Sequence, residues 1–248
     1  MSHIKGIFFD LGGTLRYVQE DQEAIRAAKE RLAILSGTTL SPDHFHQMLN
    51  ERYESGYRKW AFSHMREAGD AQLWSHWLLP DYDRELILNN APELTLSYRS
   101  AKGIRKVVSH GEETLTELNR RGYRMGIISN LIGELEIGQW LEEDGFDKYF
   151  SSVTLSSVCG IRKPDPAIYR LAGDSLGVPL SQCASVADNL DRDITGAKEA
   201  GMGCNILFIK PEKLAKKIIT DENRPDSIIH DFRQLLDLLP PLPREERA

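Results

Sequence analysis

Four short stretches of the chain end in residues that can do chemistry. Asp10 follows the apolar run Ile4 to Phe9, with Gly12, Gly13 and Thr14 close behind it. Ser129 and Asn130 follow a second apolar run. Arg162, Lys163 and Pro164 form a third group, and Asp188, Asp191 and Asp193 a fourth. Two or more carboxylates with oxygen co-ligands, and no Cys/His set beside them, suit Mg²⁺. A lysine and hydroxyl donors around another carboxylate suit phosphoryl chemistry. The cations neutralise phosphate charge, and an aspartate can attack phosphorus to form an aspartyl-phosphate.

These residues are useful only if a fold brings the ends of their strands to one edge. The spacing predicts that it does. After about Val107 the chain alternates: a helix over Glu112 to Arg121, a strand over Tyr123 to Ser129, a helix over Ile132 to Glu143 and a strand over Ser152 to Leu155. A helix over Asp165 to Leu176, a strand over Cys183 to Ala187, a helix over Asp191 to Ala200 and a strand over Asn205 to Ile209 follow. Strands alternating with helices at this spacing form a parallel sheet with helices on both faces. In such sheets ligands sit beyond the carboxyl ends of the strands, where all four groups fall. Between Leu15 and Lys102 the texture is helical, with Ala28, Leu32 and Leu35 at helical spacing, and no strand is expected. The first strand must rejoin the later sheet, so this stretch of about 90 residues is an insertion. The Trp74-Ser75-His76-Trp77 cluster within it reads as packing between helices. The proline-rich tail after Pro240 is expected to fray.

Composition narrows the classes. The 248 residues carry a net charge of only -6, and 41% are hydrophobic, which is ordinary for a folded chain and excludes disorder. There is no basic stripe to suggest nucleic acid and no long apolar run to suggest a membrane. Cys159, Cys183 and Cys204 are too scattered for a disulfide framework or zinc site, and read as small buried residues of a cytoplasmic protein.

Taken together, Phe8 to Leu15 (FFDLGGTL), Ile127 to Asn130 (IISN), Gly160 to Tyr169 (GIRKPDPAIY) and Val186 to Gly201 (VADNLDRDITGAKEAG) resemble the four motifs of the haloacid dehalogenase superfamily, in order and at family spacing. The resemblance implies a doubly wound α/β parallel sheet with an all-helical cap inserted after the first strand: a core of residues 1–15 and 106–248, and a cap of 16–105. It implies Asp10 as nucleophile and Mg²⁺ ligand, and Ser129 with Asn130 or its backbone holding the phosphoryl oxygens. Lys163 would neutralise charge, and Thr14 would brace the loop. Gly12 would offer its carbonyl to the metal and, with Gly13, line the phosphate cradle. Asp188 and Asp193 complete the metal set, Asp193 either directly or through ordered water, while Asp191 reads as a helix cap or first-turn acid. The expected partner is a small phosphorylated substrate, with the protein a monomer or homodimer.

One departure stands out. Family phosphatases usually carry a second aspartate two residues after the nucleophile, which protonates the leaving group; here that residue is Gly12. A positioned general acid is worth about 10²–10⁴ in rate. Three readings follow. The leaving group needs little protonation, as in acyl phosphates, or in phosphonates cleaved with Lys29 or Lys59 as a Schiff base. Alternatively the cap supplies the acid, from His64, Arg58 or Arg66, with Arg16 also placed to meet an anion. Or the chain is an inactive module binding a ligand or protein. Haloacid dehalogenation is a further alternative, disfavoured by Asp188.

Overall fold

The computed structural model describes residues 3–243 and 245. In chain order its strands are β1 (Gly6–Phe9), β2 (Arg16–Gln19), β3 (Ile104–Val107), β4 (Arg124–Ser129), β5 (Phe150–Leu155), β6 (Cys183–Ala187), β7 (Cys204–Phe208) and β8 (Ser227–Ile229). Six of them form one sheet, ordered β5-β4-β1-β6-β7-β8, with every neighbouring pair parallel. The chain fills one side of β1, then crosses to the other, so the order reverses beside β1 and β6. That is where an open α/β sheet leaves a crevice for ligand.

The short apolar strands are buried on both faces, and their side chains divide by alternation. Ile7 and Phe9 pack with Leu115, Leu118, Ile137 and Trp140 on one side, while Phe8 packs with Ile168, Tyr169 and Ala172 on the other. Each such side chain contributes about 1.5–3 kcal/mol by leaving water. The helices between strands are punctuated by their sequence. Helix Pro166–Leu176 starts where Asp165 accepts a hydrogen bond from the Ala167 N–H, with Pro166 in the first turn, and ends at Gly177 in the left-handed region.

The stretch from 22 to 100 folds around its own core, which includes Leu32, Leu49, Tyr57, Trp74, Leu94 and Tyr98. Trp74 is fully buried, and its Nε1 donates to Thr95 Oγ1 at 2.7 Å. One sequence expectation needs correcting. The insertion is entered through β2, which pairs antiparallel with β3 just after the insertion's last helix. Three of the four β2 residues are exposed, so no apolar alternation marked it; its backbone is satisfied by a partner nearly 90 residues away in the chain. The tail is a second correction: it is tied down as far as Leu242, which is buried, with Tyr123 donating to the Pro240 carbonyl at 2.8 Å. Residues 244 and 246–248 lie outside the described residues. No helix among the described residues is long and apolar enough to cross a membrane.

A single carboxylate ties the insertion's base to the sheet. Glu136, on helix Leu135–Glu143, lies 3.0 Å from Arg16 of β2 and 3.0 Å from Arg105 of β3, and it also pairs with Arg99 at the end of the last insertion helix. Burial alone would raise the Glu136 carboxyl, but the three arginines hold it below the usual range. Burial and the neighbouring Arg99 pull Arg105 down to about 10. Glu136→Ala would leave three largely buried guanidiniums without the carboxylate they share. It should cost about 3–5 kcal/mol, read as a lowered urea midpoint at neutral pH. An unchanged midpoint would show the cluster to be energetically idle. Because pairing depresses the folded-state pKa, this contribution is present above the unfolded carboxyl pKa and drains away as pH falls through the folded one.

Candidate active site

The strand ends converge as their order requires. Asp10 is the first residue beyond β1, Ser129 the last of β4 and Asp188 the first beyond β6. Lys163 reaches in from the loop after β5. Its Nζ donates to Asp10 Oδ1 at 2.7 Å and to the Ile128 carbonyl at 2.8 Å, and lies 2.6 Å from Asp193 Oδ1. Asp10, Lys163 and Asp193 are all buried, whereas the Asp188 side chain is 32% exposed and so forms the mouth of the cluster. One carboxylate oxygen from each of Asp10, Asp188 and Asp193 lies within 4.8 Å of the others. Burial works against the charge on Asp193, but Lys163 and Arg192 hold its carboxyl below the usual range. Burial and then repulsion by Asp10 raise Asp188 to about 6.

Arg192 is a member that the sequence reading did not single out. Its guanidinium reaches Asp193 at 2.6 Å and both Asp10 and Asp188 at 3.3 Å. Burial opposes its charge, and the three carboxylates more than restore it. Three carboxylates therefore face two cations, leaving one net negative charge. Asp191 does not cap its helix: Asn189 does, accepting from the Arg192 N–H, and Asp191 sits in the first turn and accepts from Asn223 at 3.0 Å.

The two glycines behind Asp10 differ. Gly13 has φ +87°, and a Cβ there would lie 2.2 Å from Asp188 Oδ2, so only glycine lets the loop pass. A Cβ on Gly12 would meet nothing within 4 Å. Thr14 is fully buried; its N–H donates to the Leu11 carbonyl at 3.2 Å, while its hydroxyl has no partner among the described residues. Ser129 is buried at the end of β4. Asn130, expected to aid phosphate binding, has its side chain committed elsewhere. Its amide donates to the Lys163 carbonyl at 2.9 Å and accepts from the Lys163 N–H at 2.8 Å, clamping the lysine loop. Nor does it cap the following helix, which starts later, at Leu135.

Other expected residues stand apart from the cluster. Arg16 pairs with Glu136 and lies over the Trp140 ring at 4.6 Å, so it does not present an anion contact. Lys29 pairs with Asp43 at 2.8 Å, and Lys59 is exposed. His64 is exposed, stacks on Trp60 and has its Nδ1 2.9 Å from the Trp60 carbonyl. Arg58 pairs with Glu54, and Arg66 with Asp165 at 3.4 Å. None of these side chains bonds to Asp10, Asp188 or Asp193. The insertion reaches the site by another residue, Glu67. It is buried and accepts from Tyr57, Arg162 and Ser156, the last at 2.7 Å. Its N–H donates to the Gly160 carbonyl at 3.1 Å, so the insertion grips the loop that carries Lys163. A lone buried glutamate between helical patches gave no sequence signal for this.

A doubly wound sheet with an aspartate beyond its first strand and a lysine and aspartates around it defines a class of hydrolase. Residues 4–201 match the family described as haloacid dehalogenase-like hydrolase, and the chain belongs to that family. It is similar to a protein named glyceraldehyde 3-phosphate phosphatase from Methanocaldococcus jannaschii, 27% identical over 98% of this chain and 100% of that one. A protein of the same name from Pyrococcus furiosus is 30% identical over 96% of this chain and 94% of that one. In fold it resembles a crystal structure of 2-haloacid dehalogenase from Pseudomonas syringae pv. Tomato DC3000, with a TM-score of 0.65, 24% identity and coverage of 95% of this chain and 98% of that one.

Proposed function

We propose that this chain is a Mg²⁺-dependent phosphatase of small phosphorylated compounds, working through an aspartyl-phosphate at Asp10. The observation that carries the reading is the Asp10–Lys163–Asp193 arrangement opening through Asp188, in a chain similar along its whole length to two proteins named as phosphatases. The donor set fits the ion: three carboxylates, oxygen only, with no Cys or His among them. Bound there, Mg²⁺ would add two positive charges to a cluster that is one short, and so favour a phosphate anion. Arg192 bears on the same oxygens, and about a third of its side chain is exposed.

The chain's own residues divide the work. Lys163, fixed by Asp10, Asp193 and the Ile128 carbonyl, neutralises charge as an Asp10 oxygen forms its bond to phosphorus and the ester P–O bond breaks. Ser129 offers its hydroxyl to a phosphoryl oxygen. The leaving oxygen keeps the bonding electron pair and takes its proton from water, because Gly12 has none to give. Water then cleaves the aspartyl-phosphate, releasing phosphate and restoring Asp10.

Phosphate release from a panel of phosphomonoesters and acyl phosphates should require Mg²⁺, fall to background with EDTA and return when Mg²⁺ is restored. Activity indifferent to EDTA would overturn the metal dependence. No release from any compound with Mg²⁺ would favour a module that binds without turnover.

A further inference from the structure

Beside the carboxylate cluster lies a cavity of about 600 Å³, a size typical of small-ligand sites. Gly13 and Asp188 line it, and so do Lys210, Lys213 and Lys217. Lys210 follows β7 by two residues, Lys213 lies on the short helix Pro211–Leu214, and Lys217 lies just beyond it. All are exposed, and none forms an ion pair with an acid among the described residues. Tyr17 of β2 and Ser109 after β3 also line it. The cavity thus joins the site of phosphoryl transfer to a set of cations with no counter-charge of their own.

Three like charges around one space repel each other, and an anion placed among them relieves that repulsion. The transferred phosphoryl group cannot be this anion, since it must lie against Asp10. Resting on the phosphatase reading above, we infer that the substrate carries a second anionic group, a phosphate or a carboxylate, at the end remote from the transferred phosphoryl, and that Lys210, Lys213 and Lys217 receive it.

The test uses three four-carbon compounds that share one phosphate ester: butane-1,4-diol monophosphate, its bisphosphate, and the monophosphate whose far hydroxymethyl is oxidised to carboxylate. The wild-type chain with Mg²⁺ should favour one or both compounds with an anionic far end by about tenfold in kcat/KM, mainly through KM, and lose the preference as salt is raised. The triple variant Lys210→Gln, Lys213→Gln, Lys217→Gln should lose the preference while staying within about twofold on the neutral-ended compound. Preference for the bisphosphate alone would assign a phosphate site, and preference for the carboxylate alone a carboxylate site. No preference in the wild type, or one that survives in the variant, overturns the inference. If none of these alkyl phosphates is turned over, the phosphatase reading is decided by the wider panel of phosphomonoesters and acyl phosphates. The lysines are then judged by calorimetry with Mg²⁺ present: tighter binding of an anionic-ended compound by the wild type, lost in the variant, supports them, and equal binding sinks them.

Discussion

Phosphate release by an Asp10→Asn variant should fall by at least ~10³-fold, to the background of the assay. An amide oxygen is a far weaker nucleophile than a carboxylate and cannot give an acyl phosphate that water readily cleaves. The substitution is nearly isosteric, so the fold should survive: Phe9 and Leu11 keep their packing, and the Asp10 N–H still donates to the Val186 carbonyl. Lys163 keeps Asp193 and the Ile128 carbonyl as partners. Circular dichroism and a urea curve close to wild type would separate lost chemistry from lost structure. Turnover within tenfold of wild type would refute Asp10 as nucleophile.

The opposite change is expected two residues on. Gly12→Asp should raise kcat on alkyl phosphates by about 10²–10⁴, with little gain on p-nitrophenyl phosphate or acyl phosphates, whose leaving groups depart without a proton. The structure has room for it: a Cβ at Gly12 meets nothing within 4 Å, and the residue does not need the left-handed conformation that Gly13 adopts. A carboxyl there sits at the family position for protonating the leaving oxygen and then activating water. The neighbouring position is the control, since Gly13→Asp would drive a side chain into Asp188 and should abolish activity. Equal gains on good and poor leaving groups would show that the new carboxylate acts through the metal rather than as an acid. No gain on any substrate would point to cap geometry or to another proton donor already present.

The contrast between the two glycines shows where reading the chain stops. Both stand in one motif and look alike in sequence. Their difference depends on Asp188, more than 170 residues away, whose carboxylate passes close to one and not the other. Arg16 is similar. Its place behind the Asp10 loop suggested an anion contact, but Glu136 and Trp140, brought in by a later helix, claim it. Asn130 has the residue type and position of a phosphate ligand, yet its amide fits the Lys163 backbone in both directions. Arg192 and Glu67 were illegible for the complementary reason, since nothing local distinguishes them from other charged residues.

What the sequence determined by itself is the sheet, its helices and the residues at the strand ends. Those follow from apolar runs, alternation and caps, which act over a few residues and survive in any tertiary setting. The family motifs sit at those ends, so the placement of Asp10, Ser129, Lys163 and Asp188 along one edge of the sheet was expected from the strand ends and motifs together. What only the tertiary structure decided is which partner each polar group takes: Arg192 among three carboxylates, Glu67 on the lysine loop, Glu136 beneath the β2–β3 ribbon and three lysines around one cavity. Long side chains choose partners by proximity in space, and buried charges must find one or pay several kcal/mol. That choice depends on contacts between segments tens to nearly two hundred residues apart, which no local pattern encodes.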